Sequence, residues 1–192
     1  MRIDHVIYAT HDLAGAAARV EAQVGVAAVG GGRHDGLGTH NRIVPLGDTY
    51  VELLAVCDAD EAAGSPLGRA LRQRIEQAGE GLMGWAVEVD DVTPIAARLK
   101  TQIVTVGRQG RQAQLTGTIE SLREPYLPFF IAREAGEPHP GGGEHAPRID
   151  WIEVSGDVAR LERWLDGAAL AVRIATGAPA ITAVGVGDRV LG

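Results

Sequence analysis

Two polar side chains, His5 and Glu52, stand in apolar segments of the sequence whose alternation is typical of β-strands. Successive side chains of a strand point to opposite faces, so His5 is predicted to share a face with Ile3 and Ile7. Glu52 is followed by the apolar Leu53. A carboxylate buried in such a strand is costly unless it meets a cation, a hydrogen-bond donor or water. Glu52 is therefore predicted to have a partner.

Each of these two residues has a chemical and a structural interpretation. The neutral imidazole of His5 can bind a metal or act as a general base, and it can equally be a hydrogen-bonded histidine of the core. Glu52 can be a metal ligand, or a base that moves a proton next to a substrate carbonyl. Its structural alternative is an ion pair, for example with Arg42 on the neighbouring strand.

Further candidates lie in two turns of the chain. A Gly-rich loop carries His34, His40 and Asn41, which either line a pocket or belong to a solvated turn. This loop lacks the Gly-Lys-Ser/Thr ending of a phosphate loop, so phosphate binding is not predicted. Arg108 and Arg111 flank the second turn, where they either meet an anionic substrate or form the tip of a hairpin.

The other residues with chemical potential have simpler interpretations. Trp85 either forms a wall of a pocket or joins the core. Cys57 precedes acidic residues, which disfavour a thiolate, so it is not predicted to be a nucleophile. His139 and His145 lie in a segment rich in Gly and Pro, which predicts a flexible linker.

The elements that would position these residues repeat along the chain. Three apolar segments each meet an Asp and then a helical pattern, beginning at Arg2, Leu82 and Arg148. Four helices are predicted, and their first turns lie at Asp12, Ser65, Thr93 and Asp157. Other strands are predicted at residues 41–46, 49–56, 102–106, 113–121, 127–132, 170–175 and 181–186.

This order predicts an α+β protein with tandem βαβββ modules and a partial C-terminal βαββ unit. The sequence predicts five segments. They are a first module at residues 1–57, a connecting helix at 58–81, a second module at 82–135, a linker at 136–147 and the C-terminal unit at 148–192.

The bulk composition excludes several classes of protein. The chain of 192 residues is 45% hydrophobic and 22% charged, a balance typical of a globular protein. Its net charge of −7 argues against nucleic acid as a partner. No apolar run approaches the roughly 20 residues of a membrane span. The single cysteine fits a reducing compartment, so a cytoplasmic location is expected.

Short motifs in a fixed order resemble the vicinal-oxygen-chelate superfamily (glyoxalase, bleomycin resistance and extradiol dioxygenase), and within it the glyoxalase-like branch. The motifs begin with Ile-Asp-His-Val at residues 3–6. The others are Gly31-Gly32-Arg33-His34, Gly38-Thr39-His40-Asn41, Tyr50-Val51-Glu52-Leu53, Gly84-Trp85-Ala86 and Pro128-Phe129-Phe130-Ile131.

The resemblance implies that the two modules pair into a cupped, antiparallel-rich sheet with outer helices and a divalent metal in the cup. His5 and Glu52 then occupy the two ligand positions of the first module. The second module has Gly84 or Trp85 at its first position and apolar residues such as Phe129 at its last. The implied metal site is therefore incomplete, although a loop histidine could add a ligand.

The resemblance further implies a small oxygen-bearing organic ligand in the cup between the modules. His5 and Glu52 would act on it as a lyase, isomerase or dioxygenase. His34, Asn41, Trp85 and Arg111 are the candidate substrate-binding residues. The alternative is a metal-free protein that binds or sequesters a small molecule, as in drug resistance. The C-terminal unit either covers the cup or builds a homodimer.

Overall fold

Eight strands from the first two-thirds of the chain form one cupped sheet. The structure is a computed structural model that describes residues 1–108, 111–134, 136, 138–142 and 147–192, without the side chains at 108 and 111. The strands are β1 Arg2–Ala9, β2 Arg33–His34, β3 Thr39–Leu46, β4 Thr49–Val56, β5 Gly81–Glu88, β6 Ile103–Arg108, β7 Arg111–Thr116 and β8 Phe129–Arg133.

The order of these strands shows that the sheet consists of two similar halves. It runs β2-β3-β4-β1-β5-β8-β7-β6. The first strand of each half pairs in parallel with the last, β1 with β4 and β5 with β8. The halves join where β1 pairs antiparallel with β5. The expected tandem βαβββ arrangement is therefore present in an α+β fold.

Six helices accompany the strands of the described chain, and their bounds largely follow capping residues. They are α1 Leu13–Val24, α2 Ala59–Gly64, α3 Pro66–Ala78, α4 Thr93–Leu99, α5 Thr118–Arg123 and α6 Val158–Leu165. The side chains of Asp12, Ser65 and Asp157 each accept a hydrogen bond from a first-turn amide of α1, α3 and α6. These caps confirm three of the four predicted helix starts. At α4, Thr93 lies inside the helix and Val92 precedes it.

One predicted strand is wrong in its second half. The strand expected at 113–121 ends at Thr116, and α5 begins at Thr118. Gly117 lies between them with φ of 76°, a left-handed conformation that glycine adopts without a Cβ clash. This residue stops the strand, and Ile119 and Leu122 of the short helix then line the cup.

The C-terminal unit forms a second sheet with its own strand order. Its strands are β9 Ile149–Gly156, β10 Val172–Thr176, β11 Ala180–Val186 and β12 Arg189–Leu191, ordered β10-β9-β11-β12. The last strand adds to the βαββ unit expected from the sequence. It returns through Gly187, whose φ is 58°.

The cupped sheet has an outer face and a cup face with separate hydrophobic clusters. On the outer face, Val6, Trp85 and Phe130 pack in one cluster with α1, α4, α6 and the C-terminal sheet. On the cup face, Ile7 and Leu54 pack with α3 and α5. The C-terminal unit therefore packs behind the sheet and does not cover the cup. Within the described chain, no helix has both the length and the apolarity to cross a membrane.

Candidate functional site

The cup contains a cavity of about 270 Å³ between the two halves of the large sheet. Most of its wall is apolar, because strands of both halves and helices α3 and α5 point aliphatic or aromatic side chains into it. These include Ile7, Leu54, Leu67, Met83, Val104, Val106, Leu115, Ile119, Leu122, Phe129 and Ile131. Six polar side chains form a group that we call the polar end: His5, His34, Asn41, Tyr50, Glu52 and Arg133. Elsewhere the lining also contains Gln112, Thr118 and Ser121.

Glu52 is the centre of the polar end and is 9% exposed. Its Oε1 accepts a hydrogen bond of 2.5 Å from Nδ2 of Asn41 and lies 3.4 Å from Nε2 of His34. Its Oε2 lies 3.7 Å from Nε2 of His5. The predicted pair with Arg42 is absent from the described contacts of Glu52. Arg42 lies opposite Leu53, an outer-face residue, whereas Glu52 faces the cup.

These neighbours hold Glu52 in its ionised form. Burial acts to raise the pKa of Glu52, but the hydrogen bond and charge of His34, the charge of His5 and the hydrogen bond from Asn41 outweigh it. The net effect lowers the pKa of Glu52 to about 2. Glu52 is thus a carboxylate at neutral pH and a weak base, because a low pKa means low proton affinity.

Asp4 lies behind His5 and is fully buried. Ile3 pairs with Val87 and His5 with Ala86, so Asp4 is an extra residue of β1 and forms a β-bulge. The bulge changes the side-chain alternation, so Ile3 packs in the outer cluster while His5 lines the cup. The prediction that Ile3 and His5 share a face is therefore wrong.

The Asp4 carboxylate accepts hydrogen bonds from three side chains. Arg133 donates twice, at 2.6 and 2.7 Å, and Nε2 of His139 lies 2.9 Å from Oδ1. Nδ1 of His5 lies 2.5 Å from Oδ2. Burial acts to raise the pKa of Asp4, but the bonds from His139, His5 and Arg133 hold it well below its ordinary value. Asp4 is therefore ionised.

An ionised Asp4 fixes the orientation of both neighbouring imidazoles. A carboxylate only accepts hydrogen bonds, so Nδ1 of His5 carries the hydrogen and Nε2 is directed at Glu52. The ring of His5 also stacks on Tyr50 with centroids 4.5 Å apart. In His139, Nδ1 accepts from the amide of Gly141, so Nε2 is the donor to Asp4. Nε2 is therefore the ring nitrogen of His5 that faces the cup.

The second module contributes apolar residues at the corresponding positions of the cup. Gly84, Phe129 and Ile131 line the cavity. Trp85 lies in the outer cluster, fully buried, and its Nε1 donates to the carbonyl of Tyr126. This corrects the expectation that Trp85 lines the pocket. Met83 is an extra residue of β5 opposite the step from Ile7 to Tyr8, and this irregularity sets which side chains reach the cup.

The residues of the cup do not fit the divalent metal that the resemblance implies. His5 and Glu52 supply two ligands, whereas a catalytic divalent site usually has three from the protein. The loop histidine His34 lies with its Nε2 3.4 Å from Oε1 of Glu52, but its ring does not converge with both His5 and Glu52 on one point. Among the described residues, the metal-ligating side chains that do converge are Asp4, Glu88 and His139. The guanidinium of Arg133 already lies between two of them, 2.6 Å from Asp4 and 3.3 Å from Glu88. This cation occupies the place that a metal ion would take.

The other predicted site residues are only partly brought together. His34 and Asn41 line the cup, whereas His40 lies on β3 outside the cavity lining. Arg111 lies in β7, and its side chain and that of Arg108 are outside the described part. His145 lies outside the described residues, whereas His139 binds Asp4 and so has a defined contact that the linker interpretation did not foresee.

Sequence reasoning missed Tyr50 and Arg133 of the polar end and Asp4 behind it. The Asp4-His5 pair was visible in the sequence, but ordinary strand alternation places its members on opposite faces. Arg133 ends the apolar segment Phe-Phe-Ile-Ala, where a charged residue usually meets solvent. The available signal in the sequence was an aspartate directly before a histidine in an apolar strand segment.

The tandem βαβββ fold with its cupped sheet defines a protein of the vicinal-oxygen-chelate superfamily. The family model described as "Glyoxalase-like domain" matches residues 3–169, so the chain belongs to the glyoxalase-like domain family. None of the curated proteins matches the chain.

Solved structures share this fold at low sequence identity. A hypothetical protein from Staphylococcus aureus is similar with a TM-score of 0.70 and 17% identity, over 92% of this chain and 86% of that one. A Streptomyces coelicolor methylmalonyl-CoA epimerase in complex with 2-nitronate-propionyl-CoA has a TM-score of 0.54 and 20% identity, over 70% and 99%. A methylmalonyl-CoA epimerase from Mycobacterium tuberculosis has a TM-score of 0.50 and 18% identity, over 69% and 86%.

Proposed function

We propose that the cup binds a small organic molecule and that His5 transfers a proton at its polar end without a metal, in an isomerase-type reaction. The observation that carries this proposal is the oriented Asp4–His5 pair at the end of an apolar cavity. A carboxylate bonded to Nδ1 fixes the tautomer of a histidine and stabilises the imidazolium that forms when Nε2 takes a proton.

His5 suits the role of base better than Glu52. The low pKa of Glu52 makes its carboxylate a weak proton acceptor. Glu52 instead supplies negative charge 3.7 Å from Nε2 of His5, which stabilises the protonated ring. His34 and Asn41 hold the carboxylate in place through Oε1. In this scheme His5 takes a proton from the ligand and returns it, so no net proton is lost.

Epimerisation is one reaction of this kind, and it is the activity named for two of the solved structures that share the fold. The proposal itself rests on the side chains of the cup. Lysis and ring-opening oxygenation, which the resemblance also implies, stay predictions.

Solvent exchange tests the proposal directly. The protein, with EDTA present, is incubated in D₂O with a panel of phenyl-substituted ketones and α-hydroxy ketones, and loss of the α-proton signal is followed by NMR. We expect at least one compound to exchange faster with the wild type. His5→Gln should slow this exchange by about 100-fold or more, the range of general base catalysis.

A matched control is Glu76→Gln, on the exposed side of α3, which should leave exchange unchanged. Exchange that survives His5→Gln, or that EDTA abolishes, would contradict the proposal.

A second candidate function is metal-free binding or sequestration of a small molecule. The apolar residues of the second module favour it, because they enlarge the binding surface without adding a reactive group. Binding to the native state raises its melting temperature by mass action. A panel compound that raises the melting temperature with or without EDTA, yet shows no exchange, would support this candidate over the first.

Three further expectations stay predictions beside these proposals: the homodimer, the cytoplasmic location and the division of the chain into the five predicted segments. Light scattering of the purified chain tests whether it forms a homodimer. A mass near twice 20.1 kDa would support the dimer.

A further inference from the structure

The cavity also restricts the charge of its ligand, because Arg133, the guanidinium of its described lining, is already engaged. Arg133 donates two hydrogen bonds to Asp4, and others to Glu88 and to the hydroxyl of Tyr50. A guanidinium has five N–H donors in a fixed plane, so these contacts use most of its capacity. Arg133 is thus an internal counterion of Asp4.

Glu52 leaves an acceptor facing the cavity. Within the described part of the chain, its Oε2 has His5 as its contact, at 3.7 Å, which is longer than a hydrogen bond. Its Oε1 is taken by Asn41 and His34. The polar end therefore offers an ionised carboxylate with one oxygen available to a donor on the ligand.

A second negative charge would be unfavourable at this position. A carboxylate or phosphate of the ligand would lose its hydration next to the ionised Glu52, while the guanidinium of Arg133 is already paired with Asp4. A hydroxyl or a protonated amine would instead donate to Oε2 of Glu52, and hydrogen bonds to an ionised acceptor are among the stronger ones.

The apolar walls favour an apolar surface on the rest of the ligand. The cavity of about 270 Å³ is lined mainly by apolar side chains. Burial of apolar surface against Leu54, Phe129 and Ile131 would supply the main driving force for binding.

We infer that the ligand is a compact apolar molecule whose polar end donates a hydrogen bond to Glu52 and carries no negative charge, such as a hydroxyl or a protonated amine. This inference rests on the cup as the binding site of the proposed function. It does not require the proton transfer by His5.

Three probes with the same eight-carbon chain test the inference: 1-octanol, octylamine and octanoate. Their affinities are measured by calorimetry at pH 8. We expect 1-octanol and octylamine to bind at least tenfold more tightly than octanoate. Equal or tighter binding of octanoate would overturn the inference.

The isosteric variant Glu52→Gln assigns the preference to one side chain. This variant should lower the affinity for octylamine by tenfold or more and raise the affinity for octanoate. The affinity for 1-octanol should change by less than about threefold. The control Glu76→Gln removes a negative charge from an exposed position and should change none of the three affinities. A head-group preference that is the same in Glu52→Gln as in the wild type would also overturn the inference.

The experiment separates this inference from the proposed function. Head-group preference retained in His5→Gln, with no proton exchange by the wild type, would support the inference and contradict the proton transfer. Failure of all three probes to bind would contradict both the inference and the cup as the binding site.

Discussion

The two halves of the cup have the same strand order and opposite chemistry. In the first half, β1 and β4 supply His5 and Glu52, whereas β5 and β8 of the second half supply Gly84, Phe129 and Ile131. Both pairs of strands are parallel and buried, so the backbone alone does not create the site. The side chains divide the cup into a reactive half and a mainly apolar half, which we call the apolar half although it also supplies Gln112, Thr118, Ser121 and Arg133.

The halves are nevertheless linked by a buried ionic contact. Arg133 comes from β8 of the second half, and it neutralises Asp4 on β1 of the first half. Its exposure is 11% and that of Asp4 is 0%. The second module therefore supports the first by fixing the acid behind His5, whereas its own cup-facing Gly84, Phe129 and Ile131 have no metal-ligating side chain.

Breaking this contact should have the largest effect on stability. Arg133→Met keeps a long apolar chain but leaves Asp4 buried beside two histidines. Removing one partner of a buried ion pair typically costs about 3–5 kcal/mol, because the remaining charge is uncompensated. Urea unfolding at pH 7 measures the loss.

Arg160→Met is the matched control, because Arg160 forms an ion pair with Glu124 that is 41% and 28% exposed. Exposed pairs contribute about 1 kcal/mol or less. Similar losses in the two variants would show that the halves do not depend on the buried contact.

The next effect concerns the pH dependence contributed by Glu52. Its folded-state pKa of about 2 lies below the ordinary 4.5. Ionised Glu52 therefore stabilises the fold above about pH 4.5, and this contribution is lost as the pH falls toward 2. The lowering corresponds to about 3 kcal/mol.

Urea unfolding of wild type and Glu52→Gln across this range measures the contribution. Asp4 changes stability in the same direction in both proteins, so the difference between them isolates Glu52. The gap between the two unfolding free energies should shrink as the pH falls. A gap that stays constant from pH 7 to pH 3 would contradict the assignment.

Much of the fold could be predicted from the sequence, because local signals set most of its elements. Caps such as Asp12 and Ser65 act within a few residues, so helices α1 and α3 were predicted close to their observed bounds. The exception at 113–121 arose because Gly117, in a left-handed conformation, ends the strand within an alternating segment, and a helix follows it.

The site was less predictable, because it depends on irregularities of pairing between distant strands. Bulges at Asp4 and Met83 decide which of Ile3, His5, Gly84 and Trp85 reaches the cup. Regular alternation cannot reveal these bulges, although His5 and Glu52 do both line the cup. The contact between Asp4 and His139 joins residues 135 positions apart, beyond any local pattern.

A third test of the difference between the halves is to introduce a metal-ligating side chain into the apolar half. A Cβ at Gly84 would lie 3.7 Å from Ile7 and 3.9 Å from Ser121, so a side chain has room there. Gly84→His would add a third ligand to His5 and Glu52. We expect the affinity for Co²⁺ to rise at least tenfold, about 1.4 kcal/mol, with the visible absorption of a bound ion.

Gly84→Leu fills the same space without a ligand and should bind Co²⁺ no better than the wild type. Equal Co²⁺ affinity of wild type and Gly84→His would show that the metal site of the first half is already complete.

The smallest effect should follow the removal of one hydroxyl from the reactive half. The hydroxyl of Tyr50 accepts a hydrogen bond from Arg133 at 3.2 Å, while its ring stacks on His5. Burial raises the pKa of Tyr50 well above 10, so the hydroxyl stays neutral. Tyr50→Phe keeps the ring and should cost about 1 kcal/mol in urea unfolding, the usual contribution of one hydrogen bond.

The same variant separates two ways in which Tyr50 could support His5. If the stacked ring orients the imidazole, Tyr50→Phe should exchange ligand protons within about threefold of the wild-type rate, and Tyr50→Leu should lose most of that rate. Equal exchange by Tyr50→Leu and Tyr50→Phe would assign the orientation of His5 to Asp4 alone. The reactive half would then depend on the Asp4 carboxylate, which Arg133 of the apolar half neutralises.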